Sequence, residues 1–448
     1  MLGSGLRSLA RSLTGRTGRR TSLGSALLAS GAEEKHCLET ARANLREYFF
    51  RHEPKRADAG DRWEHFLQGI RSVVPTFATA IEAIRFSQHN DAGFDHRLPA
   101  HLWRPLLPLT FDLLNAEFPA YKALINTIAD SPFSRPETVI EYDGRRVSNI
   151  LLYDLRYVLV CISNMGRVGT MCEIGGGNGM PAYTWLSSGD HRPNLYVIID
   201  FPESMFFAET FLRMNFPQLR FHYVQSADPL ESSRLNEYDV VFCPILYHDA
   251  VRSYPFDLVE NTGSLQEMSE EWIDYWMNWL RDGASRYFYS VNYFAQPLDF
   301  LAEGTNTWSP RVPQNWHAVH LGADAALIKT QTVRSYADTL AKRSDPPDEK
   351  GRRLASARYE ATRVRSLSNQ VLLEAMDALR INPDEEALYH LLKRCIEDRQ
   401  EVPKEAQYLC QYLATQASQG FHARHGADLE AIAQSLSRIR SGGREAIY

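Results

Sequence analysis

Thr170-Met171-Cys172-Glu173-Ile174-Gly175-Gly176-Gly177-Asn178-Gly179 is the stretch that decides the fold. A short apolar run breaks into four glycines and then resumes as helix-compatible sequence. That is a strand turning tightly into a helix, where backbone can approach a bound ligand closely. Its partner is Asp200, which closes the apolar run Tyr196-Val197-Ile198-Ile199 and follows Gly179 by 21 residues. This is about the separation at which a second strand, after one crossover helix, delivers a carboxylate to ribose hydroxyls.

The glycine spacing discriminates between ligands. A dinucleotide fingerprint started at Gly175 has Gly177 in place but needs glycine at 180 and meets Met180. The alternating pattern acid-x-Gly-x-Gly-x-Gly fits through Glu173, Gly175, Gly177 and Gly179. This pattern resembles the first motif of class I S-adenosylmethionine-dependent methyltransferases. The resemblance implies an α/β, Rossmann-like sheet with S-adenosyl-L-methionine as cofactor. It also implies a loop wrapped around the methionine part, with Glu173 orienting the ammonium group through that loop. A plain glycine-rich turn has no need of acids at both 173 and 200.

The 448 residues are enough for two or three cores, since single cores stop growing near about 250–300 residues. With 44% apolar and 23% charged residues the composition is that of an ordinary globular protein. A formal charge of −6 argues against nucleic acid as a general partner. No apolar run approaches the roughly 18 residues of a membrane span. The best candidate, 150–162, is interrupted by Asp154 and Arg156. The six cysteines (37, 161, 172, 243, 395 and 410) show neither a C-x-x-C pair nor metal-ligand spacing, and read as reduced thiols of a cytoplasmic protein.

Residues 1–31 hold five arginines and no acid, a composition shared by transit peptides and disordered basic tails; the tail is the preferred reading. A helical N-terminal region follows over 32–165, with Leu151, Leu155, Val158 and Ile162 forming the stripe of a packing helix. The Rossmann-like domain is expected over 166–336 and a charged linker containing Pro346-Pro347 over 337–356. A helical C-terminal domain over 357–448 would serve as an accessory or as a surface for homo-oligomers.

After a helix closed by Pro217, three apolar runs compete for two strand positions: 220–224, 239–243 and 256–260. In one assignment Tyr238–Phe242 is the fourth strand and His248 behind it is a candidate base. In the other, Phe256–Glu260 is the fourth strand, and Asn261, Ser264 and Glu267 line the site. Spacing favours the first. The second is supported by resemblance. Glu173 to Gly179, Ile199-Asp200-Phe201-Pro202-Glu203, Asp257-Leu258 with Asn261, Ser264 and Glu267-Met268, and Tyr289 with Asn292 are together similar to a sugar O-methyltransferase family of bacterial carbohydrate gene clusters. The similarity spans roughly residues 140–295 and leaves both ends unexplained. Glu260 departs from it, since an apolar strand residue belongs there. The next expected strand, 285–291, ends at Asn292, where open α/β sheets place ligand contacts.

What the resemblance implies is an O-methyltransferase acting on a sugar or glycan hydroxyl. Asn261, Ser264 and Asn292 would contact the acceptor, and Glu267 or His248 would be the base. Each base has a plainer reading. Ser264-x-x-Glu267 also matches a helix capping box, and a lone loop histidine is usually a surface residue. Trp272, Tyr275, Trp276 and Trp279 repeat at helical spacing, which favours core packing over a sugar-stacking platform. No carboxylate and histidine cluster suggests a metal. Two other functions compete: a catalytically silent methyltransferase-like binding or scaffold protein, which would not need all of Glu173, the glycines and Asp200, and a nicotinamide-dependent oxidoreductase, which Met180 disfavours. A non-sugar small-molecule acceptor is the remaining alternative.

Overall fold

The computed structural model describes residues 31–51, 60–89, 97, 99–104, 107–293, 316–324 and 336–343. The N-terminal region supplies helices α1 (Gly31–Arg51), α2 (Gly60–Val73), α3 (Ala80–Ser87), α4 (Ala100–Trp103), α5 (Leu107–Glu117) and α6 (Lys122–Thr127). A hairpin of β1 (Ile140–Tyr142) and β2 (Arg145–Val147) interrupts this otherwise helical region. Helix α7 (Asn149–Met165) begins where the Ser148 hydroxyl accepts from the Leu151 amide at 3.3 Å. Its apolar residues are buried almost throughout, as the stripe requires.

The central layer runs β3 (Thr170–Ile174), α8 (Met180–Leu186), β4 (Leu195–Asp200), α9 (Pro202–Asn215), β5 (Phe221–Tyr223), α10 (Ser232–Leu235), β6 (Val240–Pro244), β7 (Leu258–Thr262), α11 (Glu270–Asp282), β8 (Tyr287–Tyr293), β9 (Trp316–Asp324) and β10 (Tyr336–Arg343). These strands form an eight-stranded sheet in the order β5-β6-β4-β3-β7-β8-β10-β9. The first six in that order are parallel, and β10 runs antiparallel between β8 and β9. The architecture is the expected α/β, Rossmann-like one, with the chain order reversing at β3, where such sheets open a crevice.

The competition among three apolar runs ends with all three in the sheet. The strand beside β3 is β7, β6 lies beside β4, and the edge strand β5 is the supernumerary one. Spacing pointed instead to Tyr238–Phe242 as the fourth strand. It failed because β5 and β6 are joined through the four-residue α10, and β6 and β7 through the 3-10 turn Ile245–Val251, both shorter than ordinary crossover helices. Strand β10 reaches Arg343, past the domain edge expected at 336, so 337–343 belong to the sheet and not to a linker. The tail before residue 31, the rest of that linker and the C-terminal helical domain lie outside the described residues.

Alternation along the strands sorts two cores. Met171, Tyr196, Ile198, Leu258 and Tyr289 face one, shared with α1, α3, α7, α8 and α9; Cys172, Val197, Ile199, Val259 and Phe288 face the other, shared with α11. Trp276 and Trp279 are buried in the second core, which is the packing role expected of that aromatic stripe. No helix of the described residues is long and apolar enough to cross a membrane. Cys37, Cys161, Cys172 and Cys243 are buried thiols outside any disulfide.

The N-terminal helices are clamped onto α9. The Asn44 amide donates to Glu209 at 2.8 Å, Arg71 donates to the buried Glu203 at 2.5 Å, and Phe77 and Phe86 pack on Phe206 and Phe207. A second tie is fully buried. Arg97 donates to Asp130 at 3.3 Å, to the Ser148 hydroxyl at 3.4 Å and to the Met180 sulfur at 3.0 Å, and Asp130 also accepts from Ser134 at 2.5 Å. Removing one partner of a buried ion pair strands the other charge. Asp130→Ala should therefore lower unfolding stability by about 3–5 kcal/mol. A denaturant titration showing a loss below about 1 kcal/mol would remove Arg97 from its structural role.

Candidate functional site

The glycine loop sits on the carboxyl end of β3. Gly175, Gly177 and Gly179 have φ of 82°, 53° and 81°. Gly175 is the most constrained of them. A Cβ there would stand 2.2 Å from the Ser264 hydroxyl oxygen, in a left-handed conformation that side-chain-bearing residues rarely adopt. The loop is closed by its own bonds: Gly175 N–H donates to the Ile199 carbonyl at 2.8 Å and Gly179 N–H to the Gly176 carbonyl at 2.9 Å. Asn178 is buried and donates to the Ser87 carbonyl at 3.4 Å, so α3 packs against the loop.

Asp200 ends β4 beside this loop. Its two oxygens accept the Gly177 N–H at 2.7 Å and the Phe201 N–H at 2.6 Å. Burial pushes its carboxyl up to about 7, with Glu203 adding to the rise and the two amides opposing it. A carboxylate has about four lone-pair positions, so each oxygen keeps room for another donor.

Glu173 is fully buried beneath the loop; a Cβ on Gly176 would stand 3.2 Å from its Oε2. That oxygen accepts from the Tyr196 hydroxyl at 2.8 Å. Directly across the ladder, Glu173 pairs in register with Glu260 of β7. Glu260 is also fully buried and accepts from the Trp185 indole at 2.8 Å. Burial is the first cause that lifts both acids, Glu260 to about 8 and Glu173 well above the usual carboxylate range; their mutual repulsion adds to the latter. Glu260, expected only as an anomaly at a strand end, thus joins the site. The signal available in sequence was a carboxylate where both faces of a parallel strand should be apolar.

The residues expected to face an acceptor come together, but most of their polar atoms are used inside the protein. Asn261 Nδ2 donates to the Ile174 carbonyl at 2.8 Å and to the Ser264 hydroxyl, which itself donates to that carbonyl at 3.1 Å. Asn261 Oδ1 accepts from the Leu265 amide at 3.1 Å and from Asn292 Nδ2 at 3.0 Å. Asn292 also donates to the Ser290 hydroxyl at 2.8 Å. Asn261 and Asn292, expected from sequence to contact an acceptor, are fully buried and lace β3, β7 and β8 together. Ser264 is partly exposed and props the loop at Gly175.

The two candidate bases separate. His248 hydrogen-bonds through Nδ1 to the Ile245 carbonyl and through Nε2 to the Tyr275 hydroxyl, and its ring packs on Trp276. A carbonyl only accepts, so Nδ1 carries the proton and Nε2 takes Tyr275 as its donor. Both ring nitrogens of His248 are thus engaged within the fold. Glu267 is exposed on the 3-10 turn Leu265–Glu267. The capping-box reading of Ser264 and Glu267 is not realised: the Glu267 amide donates to the Ser264 backbone carbonyl at 3.0 Å, and the Ser264 side chain caps no amide of the turn. Helix α11 instead starts at Glu270 under Ser269, which accepts from the Trp272 amide at 3.4 Å.

No family model matches the chain, and no curated protein matches it. Several solved structures are similar. The 16S rRNA methylase ArmA is 9% identical, with 44% of this chain and 84% of that chain covered and a TM-score of 0.27. The magnesium protoporphyrin IX methyltransferase (ChlM) of Synechocystis, solved with bound SAM, is 12% identical over 44% and 78%, with a TM-score of 0.28. The N-terminal domain of EvdMO1, solved in the presence of SAH and D-fucose, is 12% identical over 51% and 96%, with a TM-score of 0.27. Likeness at this level carries neither an acceptor nor an activity to this chain.

The close approach of Ser264 to Gly175 yields a direct test. Gly175→Ala should lose about 1–3 kcal/mol from the backbone conformation alone, with the clash added. Combining it with Ser264→Gly should recover part of that loss, because the colliding atoms are gone. Unchanged denaturation of Gly175→Ala would contradict the loop geometry.

Proposed function

We propose that this chain is an S-adenosylmethionine-dependent methyltransferase acting on a hydroxyl of a sugar or glycan. The observation that carries the reading is the left-handed glycine loop bonded through Gly177 to Asp200 at the switch point of the sheet. These residues fit the cofactor's chemistry. Asp200 is a poorly solvated carboxylate with acceptor positions to spare, suited to a pair of ribose hydroxyls, and the acid beneath the loop suits a cation above it. When bound, the cofactor supplies an electrophilic methyl group on a sulfonium.

The chain's own part is to hold the acceptor oxygen in line and to take its proton. Of the two candidate bases, Glu267 is the one whose carboxylate lies at the surface, three residues past the serine that props the loop. Asn261, Ser264 and Asn292 act by fixing the ends of β3, β7 and β8, so that Gly175 and the Glu267 turn keep their spacing. One observation favours a silent binding protein: Asn261, Asn292 and His248 spend their polar atoms within the fold. Methyl transfer to a panel of sugars, read by product mass, separates the two readings.

Two outcomes follow for the machinery. Hydroxyl donors favour the ionised form of Asp200, so binding below its titration must release a proton. Cofactor affinity should therefore climb as pH rises through about 7. Asp200→Asn keeps an acceptor for Gly177 but should flatten that dependence, and should weaken binding by about 1.5–3 kcal/mol above it. Calorimetric titrations in which wild-type affinity does not change with pH would remove Asp200 from the ribose role. Glu267→Gln should lower turnover by about 10²–10⁴ while leaving cofactor affinity and Tm alone. Normal turnover in that variant would exclude Glu267 as the base.

A further inference from the structure

We infer that Glu260 is a protonated carboxylic acid whose O–H donates to Glu173, so that the two acids share one negative charge beneath the glycine loop. The inference rests on where the strands put these side chains and does not use the functional reading.

Parallel strands β3 and β7 pair Cys172 with Val259 and Glu173 with Glu260. Cys172 and Val259 face the α11 core, so the next residue on each strand faces the other core, and the acids are same-face neighbours on strands about 4.8 Å apart. Each receives one hydrogen bond, from Tyr196 and from Trp185, both to Oε2. The Oε1 atom of each is buried with no partner. Two unpartnered carboxylate oxygens on in-register neighbours of one sheet face, out of water, combine desolvation with like-charge repulsion. One proton resolves both, because it removes a charge and supplies the missing donor.

Among the described residues, no cation is among the groups acting on the pair. The groups acting on the pair are Asp154 of α7 and Asp200 at the end of β4, both carboxyls, together with the Tyr196 phenol and the Trp185 indole. Tyr289 of β8 is in register with Glu260 on its other side. Burial holds the Tyr196 hydroxyl far above its ordinary range, so it is a neutral donor and not a source of charge. The proton is assigned to Glu260 because the Tyr196 hydroxyl on Glu173 is a stronger support for a carboxylate than the Trp185 indole on Glu260; the repulsions from Asp154 at Glu260 and from Asp200 at Glu173 offset each other. Glu260 is therefore a positioning residue: it keeps Glu173 singly charged and tethered under Gly176.

Glu260→Gln tests this, because its amide can keep the Trp185 bond and donate to Glu173 without a titrating proton. A carboxyl raised in the folded state contributes full stability below its unfolded pKa and loses it as pH rises towards the folded value, here about 8. The Tm of wild type should thus fall more steeply with pH than that of Glu260→Gln. The gap should widen by on the order of 5 °C between about pH 5 and about pH 9. A constant gap overturns the inference, since a merely structural role would shift Tm equally at every pH. Infrared spectra of protein carrying isotope-labelled glutamate supply a second readout that needs no variant. Wild type near neutral pH should show a carboxylic-acid C=O band that moves with the label and is lost in Glu260→Gln. Absence of the band in wild type, or its persistence in the variant, overturns the inference.

Discussion

The hydrogen bond from Gly177 N–H to Asp200 is the constraint on which the site depends. It joins the turn after β3 to the end of β4, neighbouring interior strands of the sheet, and helices α8 and α9 leave from its two ends. A hydrogen bond to a charged acceptor contributes about 1.5–3 kcal/mol, and this one is buried. The bonds of Gly175, Asn178 and Gly179 hold the rest of the loop's shape, but none of them ties it to the end of β4 through a carboxylate. Because the carboxylate that caps the loop is also the one proposed to hold the ribose, loop order and cofactor affinity are coupled in that reading.

Around that bond the protein spends most of its polar chemistry on itself. Asn261, Ser264 and Asn292 bind three strand ends through the Ile174 carbonyl, and Arg97 with Asp130 ties the N-terminal region to the start of α8. Satisfied buried networks of this kind rigidify a core and are expensive to break. In the proposed reaction a methyl donor and an acceptor must meet in line at near-contact distance, and a rigid floor of interlocked strand ends would serve that requirement.

Much of the sheet was legible in the sequence because parallel strands buried on both faces read as short apolar runs, and Glu173 to Gly179 and Asp200 stand at turns whose chemistry is local. The supernumerary edge strand β5 was not legible: whether an apolar run pairs at an edge or in the middle depends on crossover geometry, which short connections obscure. His248 and Asn261 were legible as polar residues in suggestive places, but not as residues already satisfied, since their partners Tyr275 and Asn292 lie 27 and 31 positions away. Glu260 was visible as an exception without a reason. The reason lies across the ladder in Glu173, and a register between strands far apart in sequence cannot be read from either strand alone. Arg97 gave no signal, because a lone arginine in a polar stretch carries no periodicity.

The most direct measurement is a calorimetric titration of the purified protein with S-adenosylmethionine and, separately, with NAD. Saturable binding of one S-adenosylmethionine per chain with no heat from NAD is the predicted result. Saturable NAD binding, or no binding of S-adenosylmethionine by folded protein, would contradict the assignment of the glycine loop and Asp200 to that cofactor.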